Sequence, residues 1–549
     1  MYLPLITAAC ASQAPPGGGP EDKTPPEVVS TVPSADSTRV GRVVTAEVVF
    51  SEAMDEASTE NAIFISPQPR RDPRFSWRGT TLRIALRDSL PDNVTCVITV
   101  GTAAKDLRNN PLRRAVTFAF ATGDSIDRGK ISGRMITDQT AGVAVWAYRI
   151  GEEPDSTLLK RRADYITQLD REGRYELAYL APGRYRVFGI ADVDENRRFT
   201  PGVDYIGLPS FEPVIENRRD EVTSVNGLMS LHDTTAFRVV DVEFSGREGR
   251  VHFSKALAVH RYVEDGFFVD SLKERVKIFS RESLLTIRDM FIDPKSESTV
   301  HVLLETLPSD SLQAAVSGFI SHSGDTLQQA TLPVKFSEFD TVTTVEIVQP
   351  AARSTVGPDM QAELRFSRGM DRSTVTTRIF LLDTSQQRID GAIRWKNSSH
   401  LIWTGSRLLN GPAAYRLMVS LDSIADWLGR RIADTTLVWE IQTYKPDTLG
   451  TVRGRIDDDG DHLVQITRIG QPPFSRRQLL RGAVEFTFDH LLPGRYNLTA
   501  FRDDDGSGRY SYGRLTPWKP SEVFVSYPDT VSVRSNWETS TVNVQFKKP

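Results

Sequence analysis

Two cysteines in 549 residues are too few to staple a chain of this length. Each domain must therefore be held by its own apolar core. One of the two, Cys96, lies in the alternating run Thr95-Cys-Val-Ile-Thr-Val100, where it reads as a small buried hydrophobe. No segment approaches the roughly 20 apolar residues of a membrane helix. Neither sign of charge dominates. A net charge of −4 argues against a nucleic-acid partner, whose phosphates favour a basic surface. Catalytic patterns are missing as well. The eight histidines include no His-Glu-x-x-His and no zinc spacing with cysteine. There is no Gly-x-Ser-x-Gly elbow, phosphate loop or dinucleotide fingerprint. The expectation is a non-enzyme, although a glycosidase needs only two carboxylates, and such a pair would be invisible among 71 acidic residues. Long helical periodicity is scarce too.

What remains is strand signal. Val43–Phe50, Thr81–Leu86 and Ala115–Phe120 alternate or nearly alternate, with β-branched and aromatic residues between Pro, Gly, Asn and Asp clusters. The class is all-β. Length implies roughly three to five domains, so tandem β-sandwiches in an elongated multidomain chain are expected.

Two internal repeats define the units. Leu180-Ala-Pro-Gly-Arg-Tyr185 recurs as Leu491-Leu-Pro-Gly-Arg-Tyr496, offset by 311. Phe50-Ser-Glu-Ala-Met-Asp55 recurs as Phe366-Ser-Arg-Gly-Met-Asp371, offset by 316, with a weaker echo at Phe253-Ser-Lys-Ala-Leu257. Asp106 and Asp426 follow late in the first two copies, each able to close a turn on backbone N–H groups. The near-equal offsets imply a pair of domains copied twice, with a fifth between.

These motifs resemble known families. Phe-Ser-x-x-Met-Asp with a late Asp turn is similar to the bacterial Ig-like domain named after an S-layer protein, over 27–123 and 342–444. The stretch 235–340 matches weakly, for want of the late Asp turn. Segments 126–232 and 448–549, with Gly129-Lys-Ile-Ser-Gly-Arg134, Gly450-Thr-Val-Arg-Gly-Arg455 and the Pro-Gly-Arg-Tyr motif, resemble transthyretin-like or carboxypeptidase-regulatory-like sandwiches. The run Pro15-Pro-Gly-Gly-Gly-Pro-Glu-Asp-Lys-Thr-Pro-Pro-Glu27 resembles the opening of Ig-like lipoproteins from Bacteroidetes-type bacteria. Residues 1–10, ending Leu5-Ile-Thr-Ala-Ala-Cys10, are similar to a truncated lipoprotein signal with Cys10 as the lipidated residue. Residues 11–26, rich in Pro and Gly, then form a tether that cannot bury a core. The resemblance implies an outer-membrane lipoprotein of the cell envelope, anchored to the membrane by lipid. It would act as a surface scaffold or adhesion rod. A glycan- or protein-binding module, or an accessory to a surface hydrolase, is the alternative.

Three further groups are candidate site residues. Asp192, Asp194 and Asn196 stand at positions 1, 3 and 5 of a calcium-type loop, with Arg198 at 7 and Asp204 one place beyond the expected carboxylate. Asp503, Asp505 and Ser507 repeat the pattern, with Gly508 at 6 but Arg514 at 12. Neither loop is complete. Each is either a structural calcium site or a polar turn whose carboxylates cap backbone donors and pair with Arg197, Arg198, Arg502 or Arg509. Tyr510, Tyr512 and Trp518 form the third group, able to stack on the faces of an envelope glycan. Trp395, Trp403 and Trp427 are further aromatics, with Trp403 expected in the core.

Overall fold

The computed structural model describes residues 23–546, except 138–142, 152–153, 171, 195, 197, 234, 265–266, 269–272, 282, 309–310, 341, 377, 433–434 and 472. Cys10 and all but the last four residues of the tether lie outside that range. The fold is all-β, a series of β-sandwiches. The chain divides into two compact units, one of Met1–Gly207 with Glu212–Ser230 and one of Leu208–Phe211 with Leu231–Pro549.

In the first unit, a sandwich packs a four-strand sheet on a three-strand sheet. The first sheet runs Val28–Val32, Thr45–Phe50, Thr81–Ala85, Arg74–Arg78, and the second Ile63–Ser66, Thr95–Val100, Val116–Ala121. Alternation in Thr45–Phe50 sends Ala46, Val48 and Phe50 inward against Leu82, Ile84, Ile98 and Phe118, as a two-residue side-chain period requires. Cys96 is fully buried in this core, and burial pushes its thiol up to about 12. It is an inert packing residue.

The Phe-Ser-x-x-Met-Asp motif is a local hydrogen-bonded device at the sandwich mouth. Phe50 ends its strand inside, Met54 bridges Asp106, and Asp55 caps the short helix Glu56–Asn61 by accepting from Ser58 N. Asp106 Oδ1 accepts from Arg108 N at 2.7 Å and Asn110 N at 2.8 Å, and Asn109 sits at φ 73°, where Asn is better tolerated than most side chains. Asp106 is itself buried, and Asp106→Ala removes the acceptor of those part-buried donors. It is expected to cost about 1–3 kcal/mol, read as a lower urea midpoint, and an unchanged midpoint would refute the role.

The second sandwich of this unit contains Gly129–Ile136, Val143–Arg149, Arg174–Leu180 and Gly183–Ala191. Its buried Val145, Trp146, Tyr148, Leu177 and Tyr185 form the interior. The repeated Pro-Gly-Arg-Tyr motif has a plain cause here. Tyr185 donates its hydroxyl to Ala181 O at 2.6 Å, four residues back, and the fully buried ring then anchors the strand. Asp127, buried at the junction, ties this sandwich to the first through Thr95, by bonds of 3.0 and 2.9 Å.

The second unit holds three sandwiches with separate cores, spanning Val239–Leu327, Ile347–Ile441 and Val452–Phe546. The middle one of these repeats the first unit's devices. Met370 bridges Asp426, which accepts from Leu428 N and Arg430 N at 3.0 and 2.9 Å. In the last, Tyr496 donates to Leu492 O at 2.7 Å. Trp403 is fully buried, as expected, whereas Trp395 is half-buried against Phe366.

The stretch 235–340 corrects one expectation. Its late turn is present, over Ser321–Asp325, with Leu257 bridging Ser321 and Gly324 at φ 85°. The carboxylate has moved from the first position to the last. Asp325 accepts from Ser323 Oγ at 2.9 Å and from Lys255 Nζ at 2.9 Å, so a search for an opening Asp misses it.

Within this unit the sandwiches are joined by buried side chains, including a contact between segments far apart in sequence. Glu248 of the sandwich at 239–327 accepts from Trp427 Nε1 at 2.7 Å, from Arg430 at 3.0 Å and from Arg368. Trp427 packs on Phe291 and Leu303 there. The same sandwich meets the last one through Arg509, which donates Nη1 to Glu297 at 2.7 Å.

Candidate metal centre

Both Asp loops leave the end of the long strand that carries the Pro-Gly-Arg-Tyr motif. In the first, Asp192, Asp194 and Asp204 bring carboxylate oxygens within 4.8 Å of one another. The loop closes because Asp204, fully buried, accepts from Val193 N at 2.9 Å and Thr200 N at 2.6 Å. Asp204 thus joins the pair despite its offset position. Asn196 does not offer its oxygen. Its amide donates to Asp194 at 2.7 Å, and its Oδ1 accepts from Arg198 N at 2.7 Å. Asp192 also lines a groove of about 1180 Å³ between the two sandwiches of this unit, with Ile65, Phe75, Trp146 and Gln168.

In the second loop, the third carboxylate is one the spacing does not reveal. Asp503, Asp505 and Glu522 meet within 4.8 Å. Glu522 reaches back across 19 residues, and its oxygens accept from Asp504 N at 3.0 Å and Ser511 N at 2.9 Å. Asp503 accepts from Ser507 N at 2.8 Å and Gly508 N at 2.9 Å. Ser507 turns its hydroxyl away to Arg509 O, at 2.7 Å, so its contribution is a backbone donor. Arg514, at loop position 12, points elsewhere and donates to Gly324 O at 3.2 Å.

The charge balance separates the two readings of this loop. The capping half of the polar-turn reading holds, but the pairing half does not. Arg502 engages Asp504 at 2.8 Å and Asp458 at 3.6 Å, and Arg509 engages Glu297. Among the described residues no ion pair joins Asp503, Asp505 or Glu522 to a cation. Burial first, then Asp505 and Asp503, pushes the Glu522 carboxyl up to about 7. Asp503 is also raised, by burial and by Asp505, against its backbone bonds. Three carboxylates in one site with no counter-charge suit a hard cation, which takes six to eight oxygens. Asp505 and Asp503 also act on His260 of the sandwich at 239–327, although burial outweighs them and lowers its pKa.

The aromatic candidates separate. Tyr510 is hemmed edge-on by Phe501, Tyr512 and Phe524, Trp518 is half-buried, and Tyr512 alone of the three is exposed, at 40%. Trp427 is a buried joint residue.

No curated protein matches this chain. Solved structures similar to it include the N-terminal part of the bacterial S-layer protein SbsC, at 10% identity and TM-score 0.18 over 38% of this chain and 44% of that one. The chain therefore spans less than half of that structure. An L,D-transpeptidase from Mycobacterium smegmatis gives 17% identity and TM-score 0.15 over 30% and 76%. The MG0-NIE-MG1 domains of Escherichia coli α2-macroglobulin give 12% and 0.15 over 56% and 96%. Scores this low carry no functional inference. The family whose model matches is the bacterial Ig-like domain, and it covers residues 22–122, the first sandwich.

Proposed function

We propose that this chain is a non-catalytic cell-envelope lipoprotein, a surface scaffold or adhesion protein whose β-sandwiches hold partners at fixed positions. The observation that carries this reading is the buried joint at Glu248, where one carboxylate takes donors from Arg368, Trp427 and Arg430 of the neighbouring sandwich. A chain of independent binding modules has no need to bury ion pairs between its domains. Inter-domain contacts within one chain otherwise tend to be polar and mobile. The bacterial Ig-like match at 22–122 supports a bacterial setting, and the lipobox-like Leu5–Cys10 with the Pro/Gly-rich 11–26 supports a lipid-anchored tether. Calcium in the two carboxylate loops would stiffen the transthyretin-like modules and take no part in chemistry.

The test is fractionation of the full-length product against Cys10→Ser. The wild type is expected in the membrane fraction and the variant in the soluble one. Equal partitioning of both into the soluble fraction would refute the anchor.

A further inference from the structure

The late turn occurs three times in equivalent geometry, and only its surroundings differ. In the sandwich at 345–441, the turn is a joint. Trp427 and Arg430 lie on either side of Gly429, φ 80°, and both are bonded to Glu248 of the adjacent sandwich. In the sandwich at 239–327, Gly324 O of the turn accepts from Arg514 of the last sandwich at 3.2 Å. In the first sandwich, Leu107 takes the place of Trp427. Its N–H bonds Ala53 O, as that of Trp427 bonds Gly369 O. Yet Leu107 is 69% exposed, where Trp427 is 9% exposed. Arg108, Arg113 and Arg114 follow it in the chain, all exposed; the charge of Arg108 acts on Asp106, and among the described residues none of the three takes part in an ion pair.

The turn presents an exposed apolar tip with exposed guanidinium groups close by in the chain, and it differs from the occupied joint in that Glu52 and Asn110 stand at the positions of Arg368 and Arg430. We propose that this turn is a docking surface for a second copy of the chain, received by the acidic hairpin Asp457-Asp-Asp-Gly-Asp461 of its last sandwich. Charge complementarity selects that occupant. Asp457 and Asp459 are exposed, and neither forms an ion pair among the described residues. Leu479, 39% exposed, lies on the neighbouring edge strand Ser475–Leu480 and gives Leu107 an apolar seat. Basic turn on acidic hairpin is a head-to-tail contact between different surfaces, which produces open chains or rings according to the rotation between copies. This goes beyond the scaffold reading and does not depend on the anchor, because the contact is read on soluble protein.

Sedimentation velocity over a concentration series at low ionic strength tests it. The wild type is expected to associate, more weakly as salt screens the charges. Leu107→Asp should weaken association by at least about tenfold while the far-ultraviolet spectrum stays unchanged, since the side chain is exposed. Charge reversal supplies the second arm. Chains carrying Arg108→Glu with Arg113→Glu, and chains carrying Asp457→Lys with Asp459→Lys, should each fail to associate alone and recover association when mixed. A wild type that stays monomeric, association indifferent to Leu107→Asp, or a mixture that does not recover would each overturn the proposal. None of these results bears on the membrane fractionation.

Discussion

Glu248→Ala is expected to destabilise the second unit by about 3–5 kcal/mol, the cost of removing one partner from a buried ion pair. Glu248 and Arg368 are each 5% exposed. Their contact is sealed by Trp427, which lies on Phe291 and donates to the same carboxylate. Arg430 keeps Asp426 as a second acceptor at 2.8 Å, but no other hydrogen bond or ion pair is found for Arg368 among the described residues. The variant therefore leaves a buried guanidinium without a counter-charge, and that drives the large effect. Trp427→Phe removes one hydrogen bond and keeps most of the packing, so it should cost only about 1 kcal/mol. Calorimetry distinguishes the two. The alanine variant should uncouple the sandwich at 239–327 from its neighbour and split a shared transition. Identical traces for Glu248→Ala and wild type would show that the joint contributes nothing.

The pH dependence of this joint follows from the direction of the shift. Burial raises the Glu248 carboxyl, but the bonds from Arg368 and Trp427 and the charge of Arg368 outweigh it, so its pKa lies below the ordinary value. A depressed carboxylate stabilises the fold above its unfolded pKa and loses that contribution as pH falls through the folded value. The joint should hold through neutral and mildly acidic solution and fail only in stronger acid.

Local devices were legible from sequence, and contacts across long separations were not. Phe50-Ser-Glu-Ala-Met-Asp55 and the Asp106 turn can be read because their bonds join residues close in the chain, which fixes the residue types at fixed spacings. Tyr185 and Tyr496 are legible for the same reason, since each bonds a carbonyl four residues back. Glu522 leaves no such trace. It joins Asp503 only after the chain has passed through a loop of irregular length, and one Glu among many carries no periodic signal. The joint at Glu248 is harder still, with Trp427 179 residues away. The turn at Ser321–Asp325 is hidden in the sequence for a third reason. Its hydrogen-bond geometry is kept while the acid and its neutral partner exchange ends, so the structure repeats and the sequence pattern does not.

Calcium is expected to stabilise the last sandwich, and the effect should depend on pH in a defined sense. Glu522 has its carboxyl raised from 4.5 to about 7, so the unfolded chain ionises it more readily than the folded one. As pH rises from about 4.5 to 7, the unfolded state releases its proton first and stability falls by about 1.4 kcal/mol per unit, to a penalty on the order of 3 kcal/mol above pH 7. A raised carboxylate is thus a liability at neutral pH unless a cation sits beside it. A divalent ion seated between Asp503, Asp505 and Glu522 would remove that liability, and saturation at a hundred times Kd adds about 2.7 kcal/mol of linkage. In EDTA the melting midpoint should therefore drop between pH 5 and pH 8. In calcium the drop should vanish and the midpoint at pH 8 should rise by several degrees. Magnesium should do less, because it demands a tighter octahedron than a loop of this kind supplies. Asp505→Asn is the discriminating variant. Asp505 is only partly buried and accepts from Ser507 N at 3.0 Å, a bond an amide oxygen can also accept, so the fold should survive while the calcium response is lost. If calcium leaves the wild-type midpoint at pH 8 unchanged, backbone capping is the whole account of the loop. The carboxylates of Asp503 and Glu522 would then be held there by the N–H groups of Ser507, Gly508, Asp504 and Ser511 alone.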